Sequence, residues 1–583
     1  MVSWLVILTI CLPWLGALCV WVARDNHPRL QHGLASGFAV AAGLASLALL
    51  PYATDEVVLS IPVGGIFGDF TFVPDGLGGL LAAIAAVVGS LAVVFSIDYM
   101  HGEPQLGRYY ALVLIFIGAM AGLVLSGSLL LMFLFWEITA FCSYALISFH
   151  NDDPKAVAGG IKALIVTQFG GVGLLAGALI VYAYLDSYQI NTFLAEAHTL
   201  PAAVLGLIAF GYLAAAIAKS AQVPLHSWLP DAMEAPTPVT ALIHAATMVN
   251  AGVYLLARFY PAFAPVPGWK IAVTTIGLLS ALLAAVMAIT AVDLKRALAY
   301  STISQLGYMF YAVGIGAIFA SQFHLFSHAL FKGLLFLSAG AVIHAVGTRD
   351  MRLMGGLGKQ MPFVQTVFII GALALAGIPI TNGFFSKEIV LEGGLILGPL
   401  WAYIFMLIGA GLTALYTTRM VSMVFFGRAG AVQSKHDSGR AMHFSLTLLA
   451  IGTLVSWLLM GPLSQMLAST LPYQQLIGAS TPEIVIEVLT TPVTYLALAV
   501  VGLGIMTWLL RDHLVFLVRI LKPLAGLAQN DLGFERLNHQ LIRLVRELAA
   551  VLSRTQTGQL NWNIAGIVGG LVVLLAILVW GTR

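Results

Sequence analysis

Apolar segments long enough to cross a membrane recur along the whole chain. The hydrocarbon core of a bilayer is about 30 Å thick, so a spanning helix needs about 20 mainly apolar residues. Such segments lie near residues 3–22, 31–51, 77–98, 109–126, 128–149, 161–185, 203–222, 237–258, 271–291, 295–318, 322–346, 363–391, 398–426, 442–460, 491–511 and 563–580. The sequence therefore predicts an all-α, polytopic membrane protein of about 16 transmembrane helices.

The composition argues against several other classes of protein. Of the 583 residues, 60% are hydrophobic and 9% are charged, whereas soluble domains carry about 25% charged residues. The net charge of +2 gives no indication of a nucleic-acid partner. The three cysteines lie singly in apolar runs without metal-ligand spacing. We therefore expect no cofactor, no metal site and no nucleic-acid partner.

Lysine and arginine in short loops predict the orientation in the membrane, because these residues are enriched on the cytoplasmic side. Most loop cations fall on one side of the predicted helices, with Arg258 and Lys270 as the main exceptions. The first apolar run lacks the basic start of a signal peptide and is expected to remain as a helix. These patterns predict a bacterial cytoplasmic (inner) membrane protein with both termini on the outer, periplasmic side.

The most unusual stretch is 218–258, where charged residues lie inside apolar sequence. Lys219 sits in a strongly apolar run and is followed by two prolines, which remove backbone donors and interrupt a helix. Asp231 and Glu234 follow in a proline-rich turn, and His244 lies on the next apolar helix. A charge in hydrocarbon is costly unless it is paired or hydrated, so this combination predicts an ion path.

A second interrupted segment resembles the first. Around Lys219 the chain reads LAAAIAKSAQVPLHSWLP, and around Lys387 it reads LALAGIPITNGFFSKEIVL. Each segment combines an apolar half-helix, a break with proline and a lysine. Such pairs are typical of inverted-repeat transporters, in which the functional site lies at the breaks. We therefore predict two five-helix units, at about 109–258 and about 271–426.

The segment before the last apolar run has a different pattern. From Phe534 onward one stripe at helical spacing contains Leu537, Leu541, Leu544, Leu548 and Leu552. Arginines fill the opposite side, which predicts an amphipathic lateral helix along a membrane surface or a neighbouring subunit. A solvated loop helix is the alternative. The predicted organisation is N-terminal helices at 1–108, a first repeat at 109–258, a second repeat at 259–430, additional helices at 431–511, the lateral segment at 512–561 and an anchoring span at 562–583.

Five blocks of sequence carry a resemblance to a known family. They are WEITAFCSYALI at 136–147, KSAQVPLHSWLPDAMEAPTPVTALIHAATMV at 219–249, DLKRALAYSTISQLGYMF at 293–310, FHLFSHALFKGLLFLSAGAVIHAVGTRDMRLMGGL at 323–357 and GIPITNGFFSKE at 377–388. In these blocks the chain resembles the antiporter-like subunits of respiratory complex I and the Mrp cation/proton antiporters, most closely the NuoL type. The resemblance implies two inverted repeats with broken helices, a lateral helix and a final anchoring span.

The resemblance also implies a proton path at mid-membrane. Its expected members are Glu137, Lys219, His244, His324, His328, Lys332 and Lys387. Asp231, Glu234 and Glu388 are possible further members. His324, His328 and Lys332 are spaced by four residues, which places them on one helix face.

General chemistry agrees with these roles but leaves alternatives. Burial disfavours a charged lysine and a nearby carboxylate favours it, so a movable Glu137 could switch Lys219 between holding and releasing a proton. Histidines titrate near neutral pH and can relay protons. Alternatively, Glu137 and Lys219 form a structural ion pair that braces two helices. His244 could equally be a hydrogen-bonded core residue.

The implied function is that of a translocase subunit without redox centres of its own. The first hypothesis is a proton-translocating subunit of an NADH:quinone oxidoreductase or a closely related ion-pumping complex. A subunit of an Mrp-type Na⁺/H⁺ antiporter is an alternative, favoured by Gly171, where NuoL-type subunits usually carry aspartate. Another is the membrane subunit of a bicarbonate-accumulating complex with a carbonic-anhydrase-like partner. The expected partners are other membrane subunits, docked partly through the lateral helix, together with protons or Na⁺ and the lipid bilayer.

Overall fold

The computed structural model describes residues 1–553 except Arg24, Ala429, Gln433, Lys435, His436 and Asn530. The predicted span at 563–580, the end of the lateral segment and the C-terminus lie outside the described residues. The chain forms two compact units, Met1–Ala525 and Gly526–Arg583. The first unit contains the predicted repeats and all of the candidate path residues.

The described part of the chain is predominantly helical. One small antiparallel hairpin joins β1 (Leu59–Pro62) to β2 (Asp69–Phe72), with Leu59 opposite Phe72. The helices, in chain order, are α1 (Val2–Val22), α2 (Pro28–Leu49), α3 (Gly76–Tyr99), α4 (Leu106–Leu125), α5 (Leu129–Ile147), α6 (Pro154–Leu185), α7 (Ile190–Glu196), α8 (Ala202–Lys219), α9 (Trp228–Asp231), α10 (Thr237–Ala241), α11 (Asn250–Phe263), α12 (Trp269–Thr290), α13 (Leu294–Ile315), α14 (Ile318–Val346), α15 (Pro362–Ala376), α16 (Asn382–Leu397), α17 (Leu400–Phe425), α18 (Arg440–Val455), α19 (Met460–Thr470), α20 (Thr481–Thr490), α21 (Pro492–Leu509), α22 (Val515–Gln529) and α23 (Phe534–Ser553).

The prediction of a polytopic all-α membrane protein is confirmed, and the count of spans changes. Within the described residues, 13 helical stretches are long and apolar enough to cross a membrane. The predicted span at 363–391 is divided into α15 and α16. Helix α13 has a lower mean hydropathy because it carries buried polar residues such as Ser301 and Ser304. The last predicted span lies outside the described residues. Together, these three segments account for the difference between 16 and 13.

The first broken helix is interrupted directly after Lys219. Helix α8 ends at this residue, and an irregular segment with the short helices α9 and α10 leads to α11. The indole of Trp228 donates to the carbonyl oxygen of Ala218 at 3.0 Å, which satisfies one of the free carbonyls at the helix end. His244 lies in a π-helical turn, Leu242–Ala246. Such turns are rare and frequently occur at functional sites.

The second broken helix is interrupted between α15 and α16. Gly377 follows α15 with a φ of 82°, a left-handed conformation that glycine adopts without steric cost. The side chain of Thr381 then caps α16 by accepting from the backbone N–H of Phe384 at 3.3 Å. Lys387 lies in the second turn of α16. The two predicted breaks are therefore present. Lys219 ends the half-helix before the first break, whereas Lys387 lies near the start of the half-helix after the second break.

Arg258 departs from the loop pattern because it is a buried structural residue. It is 6% exposed, and its guanidinium donates to both carboxylate oxygens of Asp75. It also donates to the hydroxyl of Tyr254 at 3.2 Å. Asp75 in turn caps α3 by accepting from the backbone N–H of Gly78 at 2.8 Å. The ion pair therefore joins α11 to the start of α3.

Loss of this ion pair should destabilise the protein. Arg258→Gln leaves Asp75 buried without its partner, which costs about 3–5 kcal/mol in comparable buried pairs. The expected result is a clearly lower melting temperature of the detergent-solubilised protein. Arg352→Gln is the control, because its pair with Asp350 is exposed and should leave the melting temperature nearly unchanged. Equal melting temperatures for the two variants would contradict a bracing role for Arg258.

The second unit contains the predicted lateral helix. Helix α23 covers Phe534–Ser553 within the predicted segment 512–561. A turn at Asp531–Gly533 separates it from α22, so the lateral segment contains two helices. Leu544 of the apolar stripe is 52% exposed, and the side chains of the other stripe leucines lie outside the described residues. Docking through this stripe stays a prediction.

Candidate functional site

Three titratable side chains form a buried row along α14. His324, His328 and Lys332 are each 0% exposed. The rings of His324 and His328 lie 6.4 Å apart between centroids. Nδ1 of His324 lies 3.0 Å from the hydroxyl of Ser386 on α16. The row predicted from the spacing therefore exists, and it reaches the second broken helix.

Lys332 connects this row to the neighbouring helix and to the first repeat. Its ammonium group donates to the carbonyl oxygen of Leu298 at 3.3 Å and to the hydroxyl of Ser301, both on α13. The same nitrogen lies 5.9 Å from the centre of the Phe336 ring. The ring of His244 lies 4.9 Å from the same Phe336 ring between centroids. His244 and Lys332 therefore share Phe336 as a neighbour, and the charge of Lys332 acts on His244.

Lys219 lies at the first helix break, in the first predicted repeat. It is 0% exposed, and its ammonium group donates to the carbonyl oxygen of Trp136 at 2.9 Å. The nitrogen also lies 4.7 Å from the centre of the Trp136 ring. Within the described chain Lys219 makes no direct ion pair with Glu137, but the two charges are close enough to interact electrostatically. The lysine is therefore held by neutral groups.

Glu137 is half-buried, and its carboxylate lies directly against Gly171. One of its carboxylate oxygens, Oε1, has no hydrogen-bond partner among the described residues. A Cβ atom built on Gly171 would lie 2.5 Å from that oxygen. An aspartate at this position would crowd Glu137 and repel it. Glycine in place of aspartate at position 171 therefore leaves room for the carboxylate of Glu137.

Lys387 occupies the corresponding end in the second repeat. It is 2% exposed and donates to the carbonyl oxygen of Leu375 at 2.6 Å, near the end of α15. This contact satisfies a free carbonyl and places a cation at the negative end of the helix dipole. The ammonium group lies 5.6 Å from the centre of the Tyr308 ring. Like Lys219, Lys387 is bound through a backbone carbonyl beside a helix break.

Glu388 links the second repeat to a more distant helix. It is 4% exposed, and it lies near Thr494 on α21, whose hydroxyl donates to the carbonyl oxygen of Val488 at 2.6 Å. Its charge also acts on the neighbouring Lys387. Its second oxygen, Oε2, has no hydrogen-bond partner within the described chain. Each repeat therefore contains a buried lysine with a carboxylate close by.

Asp231 and Glu234 belong to a separate cluster of ion pairs. Asp231 binds Lys162 at 2.8 Å and Arg296 at 3.4 Å. Arg349 binds Glu234 at 3.0 Å and Asp293 at 3.2 Å. These groups are partly exposed, and they join the first break to the start of α13 and to the loop after α14. The cluster connects the two predicted repeats. The charge of Glu234 also acts on the buried Lys295, whose charge acts on His244, and membership of Asp231 and Glu234 in the path stays a prediction.

Sequence reasoning missed several members of these clusters. Lys162 and Asp293 form ion pairs with residues that were considered, and Tyr308 and Ser386 contact the buried row. Gln322 is fully buried on α14, and both polar atoms of its side chain lack a partner within the described part of the chain. A glutamine inside an apolar span was a usable signal. The hydroxyl groups carried no such signal, since they recur throughout the helices.

The row contains an unusual density of buried polar atoms without protein partners. Among the described residues, both ring nitrogens of His244 and His328 make no hydrogen bond, and neither does Nε2 of His324. Most buried polar atoms in folded proteins have a partner, so each exception requires an explanation. Small polar cavities between such groups are places where ordered water is expected. These nitrogens are therefore places where bound water would complete the hydrogen bonding.

Two family models match the chain. The model described as NADH:quinone oxidoreductase/Mrp antiporter, TM, matches residues 126–413. The model described as NADH-Ubiquinone oxidoreductase (complex I), chain 5 N-terminus, matches residues 61–110. Together the two matches cover more than half of the sequence, including every predicted member of the path.

Curated relatives have names from both branches of this family. The Na⁺/H⁺ antiporter subunit A1 of Staphylococcus haemolyticus is 40% identical over 427 residues, which is 68% of this chain and 53% of that protein. The NAD(P)H-quinone oxidoreductase chain 5 of Synechocystis sp. is 43% identical over 384 residues, which is 62% of this chain and 56% of that protein. The matched region thus spans about half the length of these relatives.

Solved structures show the same fold. A chain of the Mrp complex from Dietzia sp. superposes with a TM-score of 0.82 at 28% identity, covering 99% of this chain and 63% of that chain. A chain of the membrane-bound sulfane sulfur reductase, an archaeal respiratory membrane complex, superposes with a TM-score of 0.70 at 25% identity, covering 83% and 99%. The protein is therefore a multi-pass membrane protein that belongs to the antiporter-like subunit family shared by NADH:quinone oxidoreductases and Mrp antiporters.

Proposed function

We propose that this chain is a proton-translocating membrane subunit of an NADH:quinone oxidoreductase or a closely related ion-pumping complex. The observation that supports this most strongly is a set of buried titratable residues at two broken helices and between them. His244, Lys332, His328, His324 and Lys387 interact with one another, and Lys219 lies buried at the first break. Ionisable residues inside a membrane are rare and costly, and they typically mark ion pathways. A structural brace needs only one ion pair, whereas these buried titratable residues extend from one predicted repeat to the other.

The contacts of the lysines suggest how protons are held and released. Lys219 and Lys387 bind backbone carbonyls and have carboxylates nearby rather than in direct contact. A small movement of Glu137 or Glu388 would change the field at the lysine and shift its balance between the charged and neutral forms. The histidines of α14, with ring nitrogens free to meet water, would carry the proton between the lysines.

We further infer that the chain works as one subunit of a larger membrane assembly. Its relatives are named as a subunit of an Na⁺/H⁺ antiporter and as chain 5 of an NAD(P)H-quinone oxidoreductase. The loop cations favour an outer location for the N-terminus. The pumped ion is proposed to be H⁺, since lysines and histidines exchange protons and cannot coordinate Na⁺ when they are charged.

An Mrp-type Na⁺/H⁺ antiporter subunit is the second candidate. The specific observation in its favour is Gly171, whose lack of a side chain lets the carboxylate of Glu137 lie directly against it. In an antiporter the same row would carry the proton half of the exchange. Na⁺ would then need oxygen ligands elsewhere in the assembly.

A flux measurement separates the two candidates. The complex, purified through a tag on this chain and reconstituted in vesicles, is supplied first with NADH and quinone and then with a Na⁺ gradient alone. The proposal predicts proton uptake that depends on the redox substrates. Proton movement driven by the Na⁺ gradient without redox substrates would favour the antiporter. Absence of proton movement under both conditions would contradict a translocating role.

Gly171 provides a test of Glu137 that does not alter any charge. In Gly171→Ala the added methyl group must displace the carboxylate, which is cheap for folding because Oε1 ends a flexible side chain. We expect unchanged stability and roughly tenfold slower proton translocation, since small misplacements of a reacting group have effects of this order or larger. Gly206→Ala on α8 is the matched control, because its added Cβ would meet no atom within 4 Å. Equal rates in the two variants would exclude Glu137 from the mechanism.

A further inference from the structure

A groove of about 860 Å³ lies between α1, α4 and α5, separate from the buried row. Its volume is within the range of sites that bind small organic molecules, about 300–1,000 Å³. Apolar and aromatic side chains form most of its walls, among them Trp14, Leu18, Ile115, Ile138 and Phe141. The groove therefore suits a long apolar group.

The polar residues of the groove gather at one end. Arg108, Tyr144, Ser148 and Asn151 line this end. Arg108 is half-buried, and one of its nitrogens donates to Oε1 of Gln105 at 2.8 Å and to Oδ1 of Asn151 at 3.2 Å. Within the described residues no carboxylate pairs with Arg108. Since a guanidinium has five N–H donors, several remain available for an anion at the mouth of the groove.

The position of this end relative to the bilayer matches a lipid headgroup. Helix α1 ends at Val22, α4 begins at Leu106 and α5 ends at Ile147, so the polar end lies at the boundary of the membrane. Trp21 lines the same end and is 62% exposed, as is typical of tryptophan at a membrane interface. From Arg108 the groove extends inward along α4 to Ile115, about 10 Å at 1.5 Å per residue.

We propose that this groove binds an anionic phospholipid, with the phosphate at Arg108 and an acyl chain between α1, α4 and α5. A guanidinium binds phosphate through paired hydrogen bonds. The described lining contains no carboxylate that could receive the amine of a zwitterionic headgroup, and Asp152 and Asp153 line a neighbouring cavity. The hydroxyl and amide groups of Ser148 and Asn151 suit the hydroxyls of a glycerol headgroup. The exposed side chains of Leu18 and Phe141 open the groove to the bilayer.

The test is lipid binding to the full-length chain in mild detergent, measured by native mass spectrometry with added phosphatidylglycerol or phosphatidylcholine. The wild type should bind one phosphatidylglycerol molecule in preference to phosphatidylcholine. Arg108→Gln should weaken phosphatidylglycerol binding roughly tenfold, the order expected for hydrogen bonds to a charged group. Arg352→Gln, which changes an exposed arginine outside the groove, should bind like the wild type.

Two further results bear on the occupant of the groove. Ala145→Phe fills the groove without changing its charge and should also reduce lipid binding, provided that its melting temperature equals that of the wild type. A photoreactive residue in place of Leu18 should form an adduct with lipid in the assembled complex. Unchanged binding in Arg108→Gln, equal binding of the two lipids, or an adduct with another protein subunit would each overturn the proposal.

Discussion

Replacing Lys219 with methionine should reduce proton translocation by the assembled complex to background. The lysine is fully buried at the first helix break and is the only cation of the described row that lies beside Glu137. Methionine has a similar length but cannot bind a proton, so the row loses its first site. A loss of roughly a hundredfold is typical when a group that transfers protons is removed.

The measurement is proton uptake into vesicles that contain the complex, normalised to the amount of protein. Lys270→Met is the matched control, because Lys270 is exposed at the start of α12 and belongs to no part of the row. The control should translocate protons like the wild type. Translocation near the wild-type rate in Lys219→Met would remove this residue from the proposed mechanism.

Replacing Lys387 with alanine should reduce the number of protons moved per turnover, and His328→Ala should reduce it less. The ammonium group of Lys387 donates to the carbonyl oxygen of Leu375, and its charge interacts with that of Glu388. Water cannot replace that charge, whereas it can bridge the gap left by a relay histidine. We expect Lys387→Ala to lose at least about half of the translocated protons, since one of the two repeats would no longer work.

The ratio of protons to turnovers in reconstituted vesicles checks this order of effects. Lys359→Ala, a change of an exposed lysine in the loop before α15, is the control and should keep the wild-type ratio. Wild-type ratios in both Lys387→Ala and His328→Ala would exclude the second repeat from the path. A larger effect in His328→Ala than in Lys387→Ala would reverse the assigned roles.

The breaks in the helices were predictable because proline and glycine act locally. The prolines after Lys219 mark the first break, and α8 ends at the lysine. The second break was located by the same reasoning, yet the span 363–391 was counted as one helix. The apolar residues of α15 dominate a window average over this span, so the average does not detect the left-handed turn at Gly377. Mean hydropathy indicates how well a segment suits the membrane. It does not indicate the backbone conformation, which has to be inferred from individual residues.

The contacts of the titratable residues were less predictable because they join distant segments. The sequence suggested that Lys219 pairs with Glu137. The lysine instead donates to the backbone carbonyl of Trp136, the residue before Glu137, which lies 83 residues before Lys219 in the chain. Asp231 and Glu234 were considered as path residues, and they form ion pairs with Lys162, Arg296 and Arg349. Side-chain spacing predicts which residues share a helix face. It does not predict which backbone carbonyl of a neighbouring helix a buried lysine binds.

Lys219 acts either as a proton switch or as a structural brace, and replacing it with arginine distinguishes the two roles. In a brace, arginine would keep a cation beside Glu137 and preserve function. In a switch, arginine would block translocation, because a guanidinium does not release its proton in proteins. The present contacts favour a switch, since the lysine is bound by a neutral carbonyl and an aromatic ring.

Proton translocation by Lys219→Arg is therefore the most direct test of the proposed path. The variant should be purified as an assembled complex with the wild-type subunit composition and melting temperature, so that a loss of flux reports on chemistry. Its proton uptake in vesicles is then compared with that of the wild type under identical redox turnover. We predict normal assembly with proton uptake reduced roughly tenfold or more. Near-normal uptake would contradict the switch and leave Lys219 as a structural residue.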